Sequence, residues 1–127
     1  MKILLVDDDA FLRDMYATKF SESGHTVEVA MGGEEGLKVI DKSGPFDVII
    51  LDMVMPGIGG IDFLKSVQLN KKAEDTKCIV LSNQGEQSDK DAATTAGAVG
   101  YIVKAESIPS EVVSLSLIHI SEPTRPD

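Results

Sequence analysis

The side chains of this chain with the clearest chemical potential are three acids, a hydroxyl and an ammonium group. The acids are Asp7, Asp8 and Asp52, and Ser82 and Lys104 supply the other two groups. Clustered carboxylates repel one another unless a cation is present, and Mg²⁺ prefers one or two carboxylates, water and a phosphate. A carboxylate can also attack a phosphoryl group, whose oxygens a lysine and a hydroxyl can contact. If the fold brings these residues together, phosphoryl transfer to Asp52 with Mg²⁺ as cofactor is the chemistry they support.

The apolar pattern predicts the elements that must position these residues. Residues 48–51 form an apolar run with no polar alternation, which indicates a strand buried on both faces, as in a parallel sheet covered by helices. We predict further strands over residues 2–6, 25–30, 77–81 and 99–103, the second of them on an edge. Helices are predicted over residues 11–20, 33–41, 61–69 and 89–96, with a fifth beginning at Pro109. The alternation predicts a (βα)5, flavodoxin-like, doubly wound parallel sheet with strand order 2-1-3-4-5.

This topology places the candidate residues at one edge of the sheet. Parallel strands have their carboxyl ends on the same side, and open α/β sheets bind ligands there. Asp7 and Asp8 end the first strand, Asp52 the third, Ser82 the fourth and Lys104 the fifth. We therefore expect them in one cleft. Apolar residues at helical spacing indicate two of the helices: Phe11, Leu12, Met15, Tyr16 and Phe20 form a 3.6-period face in the first, and Ile61, Leu64, Val67 and Leu69 mark the third.

The composition excludes several classes of protein. The chain has 127 residues, a formal net charge of −9 and a pI of about 4.6. No basic patch is visible, so we expect neither direct nucleic-acid binding nor a membrane partner. The lone Cys78 fits a reducing compartment, and we do not expect the short, quickly acidic N-terminal stretch to act as a signal peptide. A cytoplasmic domain is the expectation.

Four motifs together resemble those of response-regulator receiver domains. They are VDDD at residues 6–9, LDMVMPGIGG at 51–60, LS at 81–82 and GYIVK at 100–104. The resemblance implies a signalling switch rather than an enzyme in the metabolic sense, phosphorylated at Asp52 by a sensor histidine kinase or a phosphotransfer protein with Mg²⁺. It also implies that Asp8, Asp52 and the Val54 backbone carbonyl are metal ligands, and that Asp7 acts through metal-bound water.

The same resemblance implies roles at the end of the fourth and fifth strands. Ser82 and Lys104 would hold the phosphoryl oxygens. Ser82 and the aromatic Tyr101 would rotate together on phosphorylation and reshape the face formed by the fourth helix, fifth strand and fifth helix, where a downstream protein would bind.

Four residues depart from the family pattern. Ala105 follows Lys104 where the family usually has proline, and a cis bond at a non-proline residue costs about 3 kcal/mol, so we expect a trans bond. Val54 has no polar group to orient a hydrolytic water and Gln84 could do so only in part, which predicts a long-lived aspartyl-phosphate. Asn83 stands where the family favours Ala or Gly and is expected to narrow access to Asp52.

Two other functions fit part of the pattern. Asp7-x-Asp9 at the end of a strand is also the arrangement of a haloacid-dehalogenase-like phosphatase, which would make Asp7 the nucleophile, although that class needs a later acidic pair. A receiver-like module that binds partners without phosphorylation is the third hypothesis. Each residue alone also has a simpler explanation, such as helix capping by Asp7, Asp8 or Asp9.

The C-terminal segment breaks the pattern of the fifth helix. In residues 114–127, SLSLIHISEPTRPD, serine alternates with Leu or Ile before two prolines. This segment resembles the conceptual translation of sequencing-adapter DNA fused to a truncated gene. We therefore predict a receiver domain over residues 1–113, with a truncated fifth helix, and an atypical tail over residues 114–127.

Overall fold

A computed structural model of the chain describes residues 1–55, 57–83 and 85–103. Within these residues, five strands and four helices alternate, with a short 3-10 helix at Lys71–Ala73. In chain order they are β1 (Lys2–Val6), α1 (Ala10–Glu22), β2 (Thr26–Ala30), α2 (Gly33–Ser43), β3 (Val48–Leu51), α3 (Gly60–Gln68), β4 (Lys77–Ser82), α4 (Gln87–Thr95) and β5 (Ala98–Val103). The predicted fifth helix, residue Gln84, Lys104 with its bond to Ala105, and the tail lie outside the described residues.

The five strands form one parallel sheet in the order β2-β1-β3-β4-β5, which confirms the predicted topology. The register aligns the carboxyl ends that matter for the site. Val6 of β1 pairs with Leu51 of β3, so the next residues, Asp7 and Asp52, leave the sheet side by side. Leu51 in turn pairs with Val80 of β4, and Ser82 therefore lies slightly beyond the level of Asp52.

The core has two layers, one on each face of the sheet. Alternate residues of a strand point to opposite faces, so Ile3 and Leu5 pack in the layer with α1, whereas Leu4 and Val6 pack in the layer with α2, α3 and α4. All four side chains of β3 are fully buried. The continuous apolar run of this strand is thus explained by helical cover on both faces. The alternating edge strand β2 is more exposed, as predicted.

Two of the apolar residues that indicated the first and third helices are exposed. The exposed fraction is 75% for Phe11 and 87% for Leu69. At 100° per residue, Phe11 lies about 140° around the α1 axis from the buried Tyr16. Leu69 is the residue that caps the end of α3 and lies about 120° from the buried Phe63. The expectation that Phe11 shares a face with Tyr16 and Phe20 was wrong, because its spacing turns it away from the buried side of α1. For Leu69 the sequence predicted only a place in the third helix, and it lies directly after the last residue of α3.

Within residues 1–55, 57–83 and 85–103, no helix combines the length and apolar character that crossing a membrane requires.

Candidate functional site

Three carboxylates converge at the carboxyl edge of the sheet. Asp7, Asp8 and Asp52 each have an oxygen within 4.8 Å of the others. Asp7 is fully buried, Asp52 is half-buried and Asp8 is exposed. Three negative groups this close repel one another, and hard oxygen donors at this spacing fit a divalent cation such as Mg²⁺. The donor set therefore fits the cation that the sequence predicts.

The backbone of Asp7 and of Asp52 is fixed by the sheet itself. The Asp7 N–H donates to the Ala30 carbonyl over 3.1 Å, and the Asp52 N–H donates to the Val6 carbonyl over 3.1 Å. These bonds continue the parallel ladder one residue beyond the strands. The two acids therefore stand on rigid strand ends rather than on free loops.

The start of α1 holds the Asp7 side chain in place. The Asp9 N–H donates to Asp7 Oδ1 over 2.9 Å, while Asp9 Oδ1 accepts the Leu12 N–H over 3.1 Å and so caps the helix. Arg13 Nη1 donates to the Asp7 carbonyl over 3.0 Å. The Asp7 carboxylate is thus tied into the helix cap, and Asp9 has the capping role predicted for it.

The loop after Asp52 is shaped by close backbone contacts. The Val54 N–H donates to Asp52 Oδ1 over 3.3 Å, and the Gly60 N–H donates to the Met53 carbonyl over 2.9 Å. A Cβ on Gly60 would lie 2.8 Å from Met53 Cα and 2.9 Å from the Asp52 carbonyl oxygen. Gly57 has φ 77°, a conformation that glycine adopts readily. The glycines therefore let the start of α3 pack directly on the residues around Asp52.

A cavity of about 380 Å³ opens above the acids. It is lined by Asp8, Asp9, Leu12, Asp52, Val54, Ser82 and Asn83. Ser82 is 1% exposed, so its hydroxyl stands at the base of the cleft, whereas Val54 and Asn83 lie exposed on its rim. The cleft thus combines acids and a buried hydroxyl with a rim of one apolar side chain, Val54, and one amide, Asn83.

The remaining predicted site residues are placed differently. Tyr101 on β5 is half-buried against the core layer of α2, α3 and α4 and is not among the residues lining the cleft. Lys104 and Gln84 lie outside the described residues. Leu12 lines the cleft, which the sequence did not predict, because its helical spacing indicated only a position on the apolar face of the first helix. Its position three residues after the capping Asp9, in the first turn of α1, is the signal that places it beside the strand ends.

Two other titratable groups lie away from the cleft. Burial raises the pKa of the Cys78 thiol to about 12, consistent with its interpretation as a small buried hydrophobic residue. Partial burial, followed by the nearby N-terminal ammonium group, lowers the pKa of His25, whose Nδ1 lies 3.1 Å from that ammonium.

The fold and the cleft define a class of protein. The fold is a doubly wound parallel sheet that presents three acids and a buried hydroxyl at its strand ends, a donor set suited to a divalent cation. The family model described as response regulator receiver domain matches residues 3–113. The chain belongs to the response regulator receiver family, as the sequence motifs predicted.

Similar curated proteins are two-component regulators. The two-component response regulator PhoP of Pseudomonas aeruginosa is 32% identical over 104 residues, which is 82% of this chain and 45% of PhoP. The response regulator MprA of Mycobacterium ulcerans is 35% identical over 104 residues, which is 82% of this chain and 44% of MprA. The chain spans less than half the length of these relatives.

Solved structures agree with the fold. The chemotaxis protein CheY4 of Vibrio cholerae superimposes with a TM-score of 0.85 and 31% identity, covering 91% of this chain and 95% of CheY4. The response regulator TrrA of Thermotoga maritima, solved in complex with Mg²⁺ and BeF, superimposes with a TM-score of 0.77 and 32% identity, covering 94% of this chain and 97% of TrrA.

Proposed function

We propose that this receiver domain is a signalling switch that accepts a phosphoryl group on Asp52 from a sensor histidine kinase or a phosphotransfer protein. The observation that carries the proposal is the convergence of three carboxylates beside Ser82 in a cleft that Asp52 itself lines. A cytoplasmic location, where such a donor would act, remains a prediction.

The surroundings of the acids support Asp52 rather than Asp7 as the nucleophile. Asp7 is 1% exposed, its carboxylate accepts the Asp9 N–H, and it is not among the lining residues of the cleft. Asp52 is half-buried and reaches the cavity. This difference disfavours the haloacid-dehalogenase-like alternative, which requires attack by Asp7.

The acids also suggest how a cation would be held. Asp8, Asp52 and the Val54 carbonyl would bind Mg²⁺ directly, and Asp7 would act through a metal-bound water. When bound, Mg²⁺ supplies positive charge that reduces the repulsion between the acids and the incoming phosphoryl group. TrrA, a similar protein, was solved in complex with Mg²⁺ and BeF, which supports Mg²⁺ as the cation without identifying its ligands here.

The phosphoryl transfer is a displacement at phosphorus. A carboxylate oxygen of Asp52 forms a bond to phosphorus as the bond between phosphorus and the donor imidazole nitrogen breaks, and the imidazole keeps the electron pair. Ser82 and Lys104 would hold the phosphoryl oxygens during this step. The burial of Ser82 at the base of the cleft gives its hydroxyl a fixed position.

Transmission of the signal would use the elements that follow Ser82. Ser82 ends β4 and pairs with Val103, and Tyr101 lies on the same neighbouring strand. We expect Ser82 and Tyr101 to move together on phosphorylation and to change the surface of α4, β5 and the predicted fifth helix for a downstream protein. Residues 1–113 would form this switch, and residues 114–127 would be the atypical tail suspected to come from translated sequencing-adapter DNA.

The rim of the cleft would set the lifetime of the phosphorylated state. Val54 is 67% exposed and apolar, so its side chain can accept no hydrogen bond from a hydrolytic water. Asn83 is exposed beside it, where its amide would restrict access to Asp52. With Gln84, these residues are proposed to slow hydrolysis of the aspartyl-phosphate.

Intact-mass measurement after incubation with acetyl phosphate and Mg²⁺ tests the proposal. A single phosphoryl adduct is expected in the parent chain and in Asp7→Ala, with no adduct in Asp52→Ala. Steady phosphate release that depends on Asp7 would instead identify a phosphatase. The absence of any adduct under conditions that phosphorylate a known receiver would leave the chain as a binding module.

A further inference from the structure

A second and larger cavity lies between α3 and α4. Its volume is about 600 Å³, and none of the three clustered acids lines it. The α3 side contributes longer side chains and the α4 side contributes mostly small ones, so the two helices leave an open groove between them. The lining of the groove includes Ile61, Lys65 and Leu69 on the α3 side and Asp91, Ala92 and Ala96 on the α4 side.

Leu69 is the unusual residue of this α3–α4 groove. It is 87% exposed, although leucine is one of the side chains most often buried. It follows the last residue of α3 and lines the groove at its end. An exposed leucine beside an apolar groove is suited to entering a matching groove on another molecule.

The charged residues of the groove have opposite signs on its two walls. Lys65 lies on the α3 wall, and Asp91 lies on the α4 wall, where its Oδ1 accepts a hydrogen bond from Gln87 Nε2 over 2.9 Å. Among the described residues, Lys65 has no salt bridge to an acid of its own chain. A partner with charges of only one sign could form an ion pair with Lys65 or with Asp91, but not with both. A second copy turned about a two-fold axis would satisfy both, because each lysine would then face the other copy's aspartate.

We propose that the α3–α4 groove is a two-fold interface between two copies of this chain. Leu69 of each copy lies in the groove of the other, and Lys65 faces Asp91 of the partner subunit. This interface is separate from the acid cleft and does not depend on the proposed phosphorylation, so failure of one proposal leaves the other intact.

Sedimentation velocity of the full chain over a concentration series tests the interface. We expect a reversible monomer–dimer equilibrium. Leu69→Asp should lower the association constant roughly a hundredfold or more, because two leucines lose their burial in each dimer. Phe11→Asp is the matched control, since Phe11 is 75% exposed on the other face of the sheet and should leave the equilibrium unchanged. A chain that stays monomeric up to about 1 mM overturns the proposal, and so does equal association of Leu69→Asp and the parent.

Charge reversal tests the two-fold arrangement itself. Lys65→Glu and Asp91→Lys should each self-associate less than the parent, by roughly tenfold for two surface ion pairs replaced by like charges. An equimolar mixture of the two variants should recover the dimer, because every facing pair in the mixed dimer is again of opposite sign. Failure of the mixture to associate more than either variant alone would refute the pairing of Lys65 with Asp91.

Discussion

Replacement of Gly60 by alanine should both destabilise the chain and slow phosphorylation of Asp52. The added Cβ would lie 2.8 Å from Met53 Cα, 2.9 Å from the Asp52 carbonyl oxygen and 3.0 Å from the Met53 carbonyl oxygen. Carbon atoms pack best at about 3.5–4.0 Å, so the backbone next to Asp52 must move by roughly 0.5–1 Å. No flexible side chain is available to absorb this shift, because all three contacts are with backbone atoms.

Two opposing effects determine how much Gly60→Ala lowers the free energy of unfolding. Overpacking of this kind costs about 1–3 kcal/mol, and we place Gly60→Ala near the upper end because the contacted atoms are backbone. The greater helix propensity of alanine offsets up to about 1 kcal/mol. We therefore expect a net loss of about 1–2 kcal/mol in the free energy of unfolding, measured by urea denaturation, and roughly tenfold slower phosphorylation by acetyl phosphate as Asp52 is displaced.

Gly59→Ala is the matched control for this experiment. A Cβ on Gly59 would meet nothing nearer than the Met53 carbonyl oxygen at 4.0 Å, and Gly59 has an ordinary φ of −74°. Its stability should stay within about 0.5 kcal/mol of the parent, with an unchanged phosphorylation rate. If Gly60→Ala and Gly59→Ala unfold at the same urea concentration and react at the same rate, backbone contact does not position Asp52 and the reasoning is refuted.

Three further outcomes follow from the site and the core. Saturating Mg²⁺ should raise the thermal midpoint of the parent chain and of Ser82→Ala but not of Asp8→Asn, and a shift of equal size in Asp8→Asn would contradict the assigned ligands. Val54→Asn should shorten the lifetime of the aspartyl-phosphate in a discharge assay, and an unchanged lifetime would count against control by the rim. The pKa of Cys78 is raised from 9.0 to about 12 in the folded chain, so the unfolded chain loses this proton first as pH rises. The stability that this thiol contributes should be present below pH 9 and fall between pH 9 and 12, and the difference in unfolding free energy between the parent and Cys78→Ala across that range measures it.

The topology was predictable because strand and helix periods differ so clearly in this sequence. The uninterrupted apolar run of β3 requires cover on both faces, and that requirement leads to a parallel sheet with its acids at one edge. The positions of Asp7 and Asp52 followed from that edge alone. Phe11 was misplaced because its apolar character was given more weight than its spacing from Tyr16, which already turns it about 140° away around the α1 axis.

The details of the cleft depend on contacts that no local pattern encodes. The hydrogen bond from Arg13 to the Asp7 carbonyl joins groups six residues apart across a turn and a helix start. The close approach of Gly60 to Asp52 depends on the angle at which α3 leaves its loop. The opposite charges of Lys65 and Asp91 became meaningful only once α3 and α4 were placed side by side.

α2 packs closely against the segment that follows Asp52, and this packing limits the substitutions that both can accept. A Cβ on Gly33 would lie 3.0 Å from Ile58 Cβ, and one on Gly36 would lie 2.9 Å from Phe63 Cε1. Gly60 in turn packs against the backbone of Asp52 and Met53. The segment from Asp52 to Gly60 therefore has little room for insertions or for larger residues at these glycines. Val54 and Asn83 are exposed instead, so the lifetime proposed to depend on them could be changed by substitution there without moving the crowded backbone around Asp52.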